Sequence, residues 1–190
     1  MKLALIPARM RRPFRRFLAD KRGVSAVEFA MLLPLMVTLY LGGVEVSSAV
    51  AIDRKMTLVA HTLGDLVAQA TSVDNPTMTS ILSATTAVMA PYPDTNLKIT
   101  VSSVQINSQG VAKVSWSDTK NGTARSIGST VTLPAALNVA STSLIWAEAS
   151  YAYTPTIGYV MTGTKTLTDQ IYMRPRLSDC VLRPTTQTSC

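Results

Sequence analysis

One segment constrains this chain more than any other. From Val24 to Val44 there are 21 residues, and Glu28 is the only charged one among them. The run is long enough to cross a hydrocarbon core about 30 Å thick as a helix of about 20 residues. A fold that includes it must either bury it on all sides or leave it to a bilayer. Eight basic side chains (Lys2, Arg9, Arg11, Arg12, Arg15, Arg16, Lys21, Arg22) and one acid, Asp20, precede it within residues 1–23, a net of +7. The whole chain of 190 residues also has a formal charge of +7, so the rest is balanced: ten basic groups of the 18 and ten acidic groups of the 11. The excess charge is confined to one short arm. No basic face or aromatic strand motif in the body points to nucleic acid. The positive-inside bias puts the N-terminus in the cytoplasm and the residues beyond 50 across the membrane. A cleavable secretory signal fits poorly, because the basic region is long and no small-x-small site ends the apolar run at Gly43–Val46.

Beyond the apolar run the helical pattern continues. Val59, Leu63, Leu66, Val67 and Ala70 form one stripe, while Glu45, Asp53, Lys55 and Asp65 occupy other positions. Without a proline between Pro34 and Pro76, one helix is expected from about Val24 to Thr71. At 1.5 Å per residue it is roughly 70 Å long, with about 40 Å beyond the membrane. Asp74-Asn75-Pro76 starts a second helix, with Asn75 as N-cap and Pro76 as first residue. Its buried stripe is Met78, Ile81, Leu82, Thr85, Val88 and Met89, and Pro91-Tyr92-Pro93 ends it.

After Pro93 the period changes to two. Leu97 to Ile106 and Val111 to Trp116 read as strands around the turn Asn107–Gly110. Asn121-Gly122 is a hairpin signal with only a weak strand after it. Thr130–Leu133 and Leu144–Tyr153 read as further strands, with a short helical turn at Pro134–Leu137. The fold class is therefore α+β: a long N-terminal transmembrane and amphipathic helix, a second helix, and a small antiparallel sheet. The organisation is a basic cytoplasmic leader (1–23), a transmembrane helix (24–44), a helical region beyond the membrane (45–93), and a sheet region ending in a Cys loop (94–190).

Glu28 has two readings. It is either an interfacial acid reaching back to Lys21 and Arg22, or part of a processing and assembly signal built on Gly23. Cleavage after Gly23 makes Val24 the new N-terminus and Glu28 the fifth residue. An ammonium and a carboxylate then stand about 6 Å apart along the helix axis in an apolar setting. An uncompensated charge there costs several kcal/mol, so each group seeks a partner, including one on an adjacent copy.

Arg22-Gly23, Ala26-Val27-Glu28-Phe29-Ala30 and Leu33-Pro34 together resemble the TadE-like family of minor pilins, or pseudopilins, of bacterial tight-adherence pilus systems. The resemblance covers roughly residues 22–65. Segments around Val111–Ser117 and Tyr172–Arg176 are similar to those of longer family members. The resemblance implies cleavage between Gly23 and Val24 by a prepilin peptidase and an assembly role for Glu28, with Phe29 beside it. It also implies other pilin and pseudopilin subunits, an inner-membrane assembly platform and the lipid bilayer as partners. The role implied is that of a structural pilus component, inserted in the inner membrane with its C-terminal domain in the periplasm, rather than an enzyme. The alternative is an uncleaved single-span anchor presenting a periplasmic binding or scaffold domain.

Pro34 lacks the N–H that would bond the carbonyl of Ala30, so a kink or local loosening is expected there. Cys180 and Cys190, in an oxidising compartment, are expected to close a small C-terminal loop as a disulfide. These two cysteines and the solitary His61 are too few to hold a metal, and no nucleophile motif accompanies His61. No cofactor is expected.

Overall fold

The computed structural model describes residues 23–155, 158 and 162–190. The basic leader expected over residues 1–23 therefore lies outside the described residues, except for Gly23. Helix α1 spans Val24–Ala68, and its 45 residues extend about 68 Å. Helix α2 spans Asn75–Ala87. The strands are β1 (Leu97–Ile106), β2 (Ala112–Lys120), β3 (Thr142–Tyr153) and β4 (Lys165–Met173). They form one antiparallel sheet in the order β2-β1-β3-β4. The expected α+β class holds.

Helix α1 ends three residues before Thr71 because its continuation finds a different partner. The Val73 N–H donates to the Leu182 carbonyl at 2.9 Å, and Leu182 N–H donates to Thr71 at 3.0 Å. The Arg176 N–H takes the Ala68 carbonyl at 2.9 Å. These bonds to the C-terminal segment replace another helical turn and satisfy backbone groups that a helix end leaves open. The cap of α2 is Asp74, not Asn75. Its carboxylate accepts from the Thr77 N–H at 2.9 Å, and Asn75 and Pro76 occupy the first turn. Both residues are good N-caps, but only the Asp74 side chain reaches that N–H.

The stripe of α1 covers one face of the sheet. Ile52, Met56, Val59, Leu63 and Val67 are buried there with Leu97, Ile99, Val101, Ile145 and Ala147. The helix lies close to the sheet at Gly64, where an added Cβ would lie 3.3 Å from both Ile171 Cγ2 and Met173 Sδ and 3.5 Å from Ala147 Cβ. A side chain larger than hydrogen would hold the helix off the sheet. Met78, Ile81 and Leu82 from α2, and Met89 just beyond its end, close the same core.

A register shift in the β1–β2 pairing gives the sheet a second core. Ser103 pairs with Trp116 and Val104 with Val114, so Ser115 is passed over as a bulge. Ala112 and Trp116 therefore join different clusters, despite their even spacing in sequence. Trp116 packs under α1 and α2, whereas Ala112 packs with Val104, Ile106, Leu133, Leu144 and Trp146 on the opposite face.

Two expected strand features differ. Thr130–Leu133 is not a strand, since only Thr130 bridges Lys113, although Val131 N–H reaches Ala112 at 3.0 Å. The positive φ of Gly128 (79°) on one side and Pro134 on the other leave too short a run. Asn121 does turn, with φ 58°, but no strand follows until Thr142. Its amide instead donates to the Asp94 and Leu97 carbonyls at 3.1 and 3.0 Å. Strand β4 was not expected. Leu167, Ile171 and Met173 pack on the core, but Asp169 interrupts their alternation.

Candidate functional site: the bare half of helix α1

Burial divides α1 sharply. No residue from Val24 to Leu41 is buried; the first buried positions are Gly42 and Glu45. The bare part is 18 residues long, about 27 Å, close to the thickness of a bilayer's hydrocarbon core. Its most apolar stretch has the length and composition to cross a membrane, and none of it is buried in the fold. The core helix of a soluble protein passes the same length test, but it is mostly buried. By length, composition and exposure this segment is a candidate membrane span. Leu32, Leu35, Met36 and Leu39 all expose more than half of their surface, which water does not favour.

The residues singled out from sequence sit at the far end of this half. Gly23 occupies the N-cap position without a side-chain cap, and a Cβ there would meet nothing within 4 Å. Val24, Glu28 and Phe29 are exposed, with Val24 and Glu28 one helical turn apart. A bond between Gly23 and Val24 is thus unobstructed by the described part of the fold. Pro34 lies inside a helix that runs on without a break, and the Thr38 hydroxyl donates to the Pro34 carbonyl at 2.7 Å. Cys180 and Cys190 lie at the other end of the molecule, joined as the expected disulfide with Cα atoms 5.7 Å apart.

Three features hold the other half of α1 rigidly. The Lys55 ammonium donates to the Val88 carbonyl at 3.1 Å, tying α1 to the end of α2. The Tyr153 hydroxyl lies 3.4 Å from the Glu45 carbonyl, and burial raises the phenol's pKa, with the Glu45 charge a smaller cause. The disulfide loop then braces the α1–α2 corner. Trp116 Nε1 donates to Val181 at 2.7 Å, and buried Arg183 donates to both oxygens of Asp118 (2.8 and 3.0 Å) and to the Val73 carbonyl (3.1 Å). An Arg–carboxylate fork of this kind fixes geometry as well as charge.

Sequence reasoning set Glu45 outside the stripe, but it is only 2% exposed. The signal was present. Val59, Met56, Ile52, Ala49 and Glu45 step back along the helix by three and four residues, so the stripe continues to an acid. His61 is exposed, and among the described residues no group of three or more His, Cys, Asp and Glu side chains is placed to hold a metal.

Residues 23–64 match the family model of TadE-like protein. Over these residues the chain is TadE-like. The match begins on Gly23, takes in the whole bare half, and stops at Gly64 where α1 lies close to the sheet. The match covers 42 of the 190 residues, and the apolar half within it has the length and composition to cross a membrane. The segments around Val111–Ser117 and Tyr172–Arg176 lie outside the TadE-like match. No curated protein and no solved structure matches the chain.

Proposed function

We propose that this chain is a minor pilin of a tight-adherence pilus, cut after Gly23 by a prepilin peptidase and used in starting or building the filament. The carrying observation is that the TadE-like match begins on Gly23, the N-cap residue of α1, and takes in the whole exposed apolar half that follows it. The folded domain lies on the periplasmic side of the inner membrane, since the basic arm holds the N-terminus in the cytoplasm. The chain's role is structural. It is the substrate of an enzyme and engages other pilins and the assembly platform through α1.

After cleavage the Val24 ammonium and the Glu28 carboxylate stand at the apolar end of the helix. A lone subunit keeps them hydrated at the membrane face. Helices packed in a filament core exclude that water, so each charge then needs an opposite one from the same or a neighbouring copy.

N-terminal sequencing of membrane-extracted protein tests cleavage: a start at Val24 supports the pilin reading, and a start at Met1 supports an uncleaved anchor. Glu28→Ala and Glu28→Gln are both expected to yield mature, inserted protein with little pilus assembly. Normal pilus levels in both variants would reduce Glu28 to an interfacial acid.

A further inference from the structure

The sheet face turned away from α1 has an apolar half and a polar half. Strand register assembles the polar half in rows. Lys98 faces Ser150 and Ser150 faces Thr168; in the next row Thr100 faces Glu148 and Glu148 faces Gln170. A solvated sheet face needs nothing more than such polarity. Here, however, the segment after β2 stands beside the rows as a wall. Its Arg125 N–H donates to Ser117 Oγ at 3.0 Å. The Arg125 guanidinium donates to both Glu148 oxygens at 2.8–3.0 Å and lies 3.7 Å from the Trp146 ring centroid. Trp146 is held in turn by Gln170 Oε1, which accepts from its indole N–H at 3.1 Å, and by stacking on Tyr172. The wall borders an open groove of about 650 Å3 over β1, β3 and β4.

We infer that this groove binds a neutral polyhydroxylated ligand, a short stretch of carbohydrate. Its volume lies within the usual range for ligand sites, about 300–1,000 Å3. Its charges balance: Lys98 and Arg125 against Glu148 and Asp169. The one guanidinium is already engaged by a carboxylate, so the site does not favour a phosphate or a carboxylated ligand. What remains on offer is a mixed set of donors and acceptors, the hydroxyls of Thr123, Ser150 and Thr168 and the NH2 of Gln170, whose oxygen is held by Trp146. Sugar hydroxyls present the same mixture. The Arg125–Glu148 pair keeps about 30% of each side chain exposed, so its polar atoms remain within reach of a ligand. A protein partner fits less well, because interface cores are depleted of charge and rich in apolar and aromatic surface. The groups stand on paired strands, so little ordering cost is left for binding.

The test uses the full chain in lipid nanodiscs and saturation-transfer NMR with maltotriose, mannotriose and triacetylchitotriose as neutral probes and trigalacturonate as the anionic one. Transfer is expected to at least one neutral trisaccharide and not to trigalacturonate. The double variant Ser150→Val/Thr168→Val should raise that Kd at least tenfold with an unchanged near-UV spectrum, since valine suits an exposed strand position. Lys98→Met, which keeps the stem and drops the donor, provides the same readout should the double variant fold poorly. Transfer to none of the neutral probes, preference for trigalacturonate, or an unchanged Kd in the correctly folded variants overturns the inference.

Discussion

The two halves of α1 are one continuous helix in two environments. From Val24 to Leu41 every face is open; from Gly42 to Ala68 one face is pressed on a sheet. Both halves are rich in Leu, Val, Met and Ala, so composition alone does not separate them. Spacing does. The first half is apolar all round, as a lipid-facing helix is, whereas the second repeats its apolar residues every three or four positions. The two acids make the same point. Glu28 is exposed near the start of the bare half, while Glu45 is buried near the start of the packed half, where Tyr153 approaches its backbone. A carboxylate in an apolar stretch is thus an exposed group in one half and part of a folded core in the other.

This contrast predicts paired substitutions with unequal results, read by denaturant unfolding of the full chain in micelles. Both tryptophans, Trp116 and Trp146, lie in the sheet and report its folding by fluorescence. The largest difference is expected between Leu63→Ala and Leu35→Ala. Leu63 is fully buried, and its truncation should cost about 2–5 kcal/mol. Leu35 is more than half exposed, so the same change should stay within about 0.5 kcal/mol. Equal losses would mean that the bare half packs on the domain after all.

The glycine pair comes next. Gly64→Val drives two methyl groups towards Ile171, Met173 and Ala147 and should cost about 1–3 kcal/mol. Gly43→Val meets open space and should leave domain stability unchanged within about 0.5 kcal/mol. A harmless Gly64→Val would show that the helix rides further from the sheet than these contacts indicate.

The smallest effect concerns acid. Hydrogen bonds from the Thr77 side chain and then its backbone hold the Asp74 carboxyl below its usual pKa. A lowered folded-state pKa contributes stability above the unfolded value, and that contribution disappears as pH falls through the folded one. The stability difference between wild type and Asp74→Asn should therefore be flat from pH 7 to about 5 and shift against wild type below about pH 4. Cosedimentation with membranes, which depends on residues 24–41, should show no such step. A flat difference down to pH 2.5 would remove the cap from the account.

Much of this was legible from residues alone. Both helices, the β1–β2 hairpin around Asn107–Gly110, the strand ending at Tyr153 and the Cys180–Cys190 bridge follow from periodicity, turn chemistry and compartment. Strand β4 was hidden because Asp169 sits where the alternation calls for an apolar residue. The expected strand at Thr130–Leu133 shrank to one bridge because Gly128 and Pro134 bound it. The residues singled out from sequence, Gly23, Val24, Glu28, Phe29 and Pro34, all lie at the start of α1 or on its exposed half, outside the contacts that shape the domain. Arg125, Glu148, Arg183 and Asp118 were not legible from sequence, as their partners lie 23 and 65 residues away.

Local pattern by itself determined the apolar segment, its basic flank, both helices and three of the four strands. These depend on hydropathy, charge placement and period, which a few neighbouring residues suffice to set. Only the tertiary structure decided where α1 stops being bare, which acid is buried, and how a one-residue bulge at Ser115 assigns Ala112 and Trp116 to opposite cores. Each of these is a choice between contacts distant in sequence. A helix continues until another segment offers its backbone better hydrogen bonds, and a strand residue faces whichever side its register gives it.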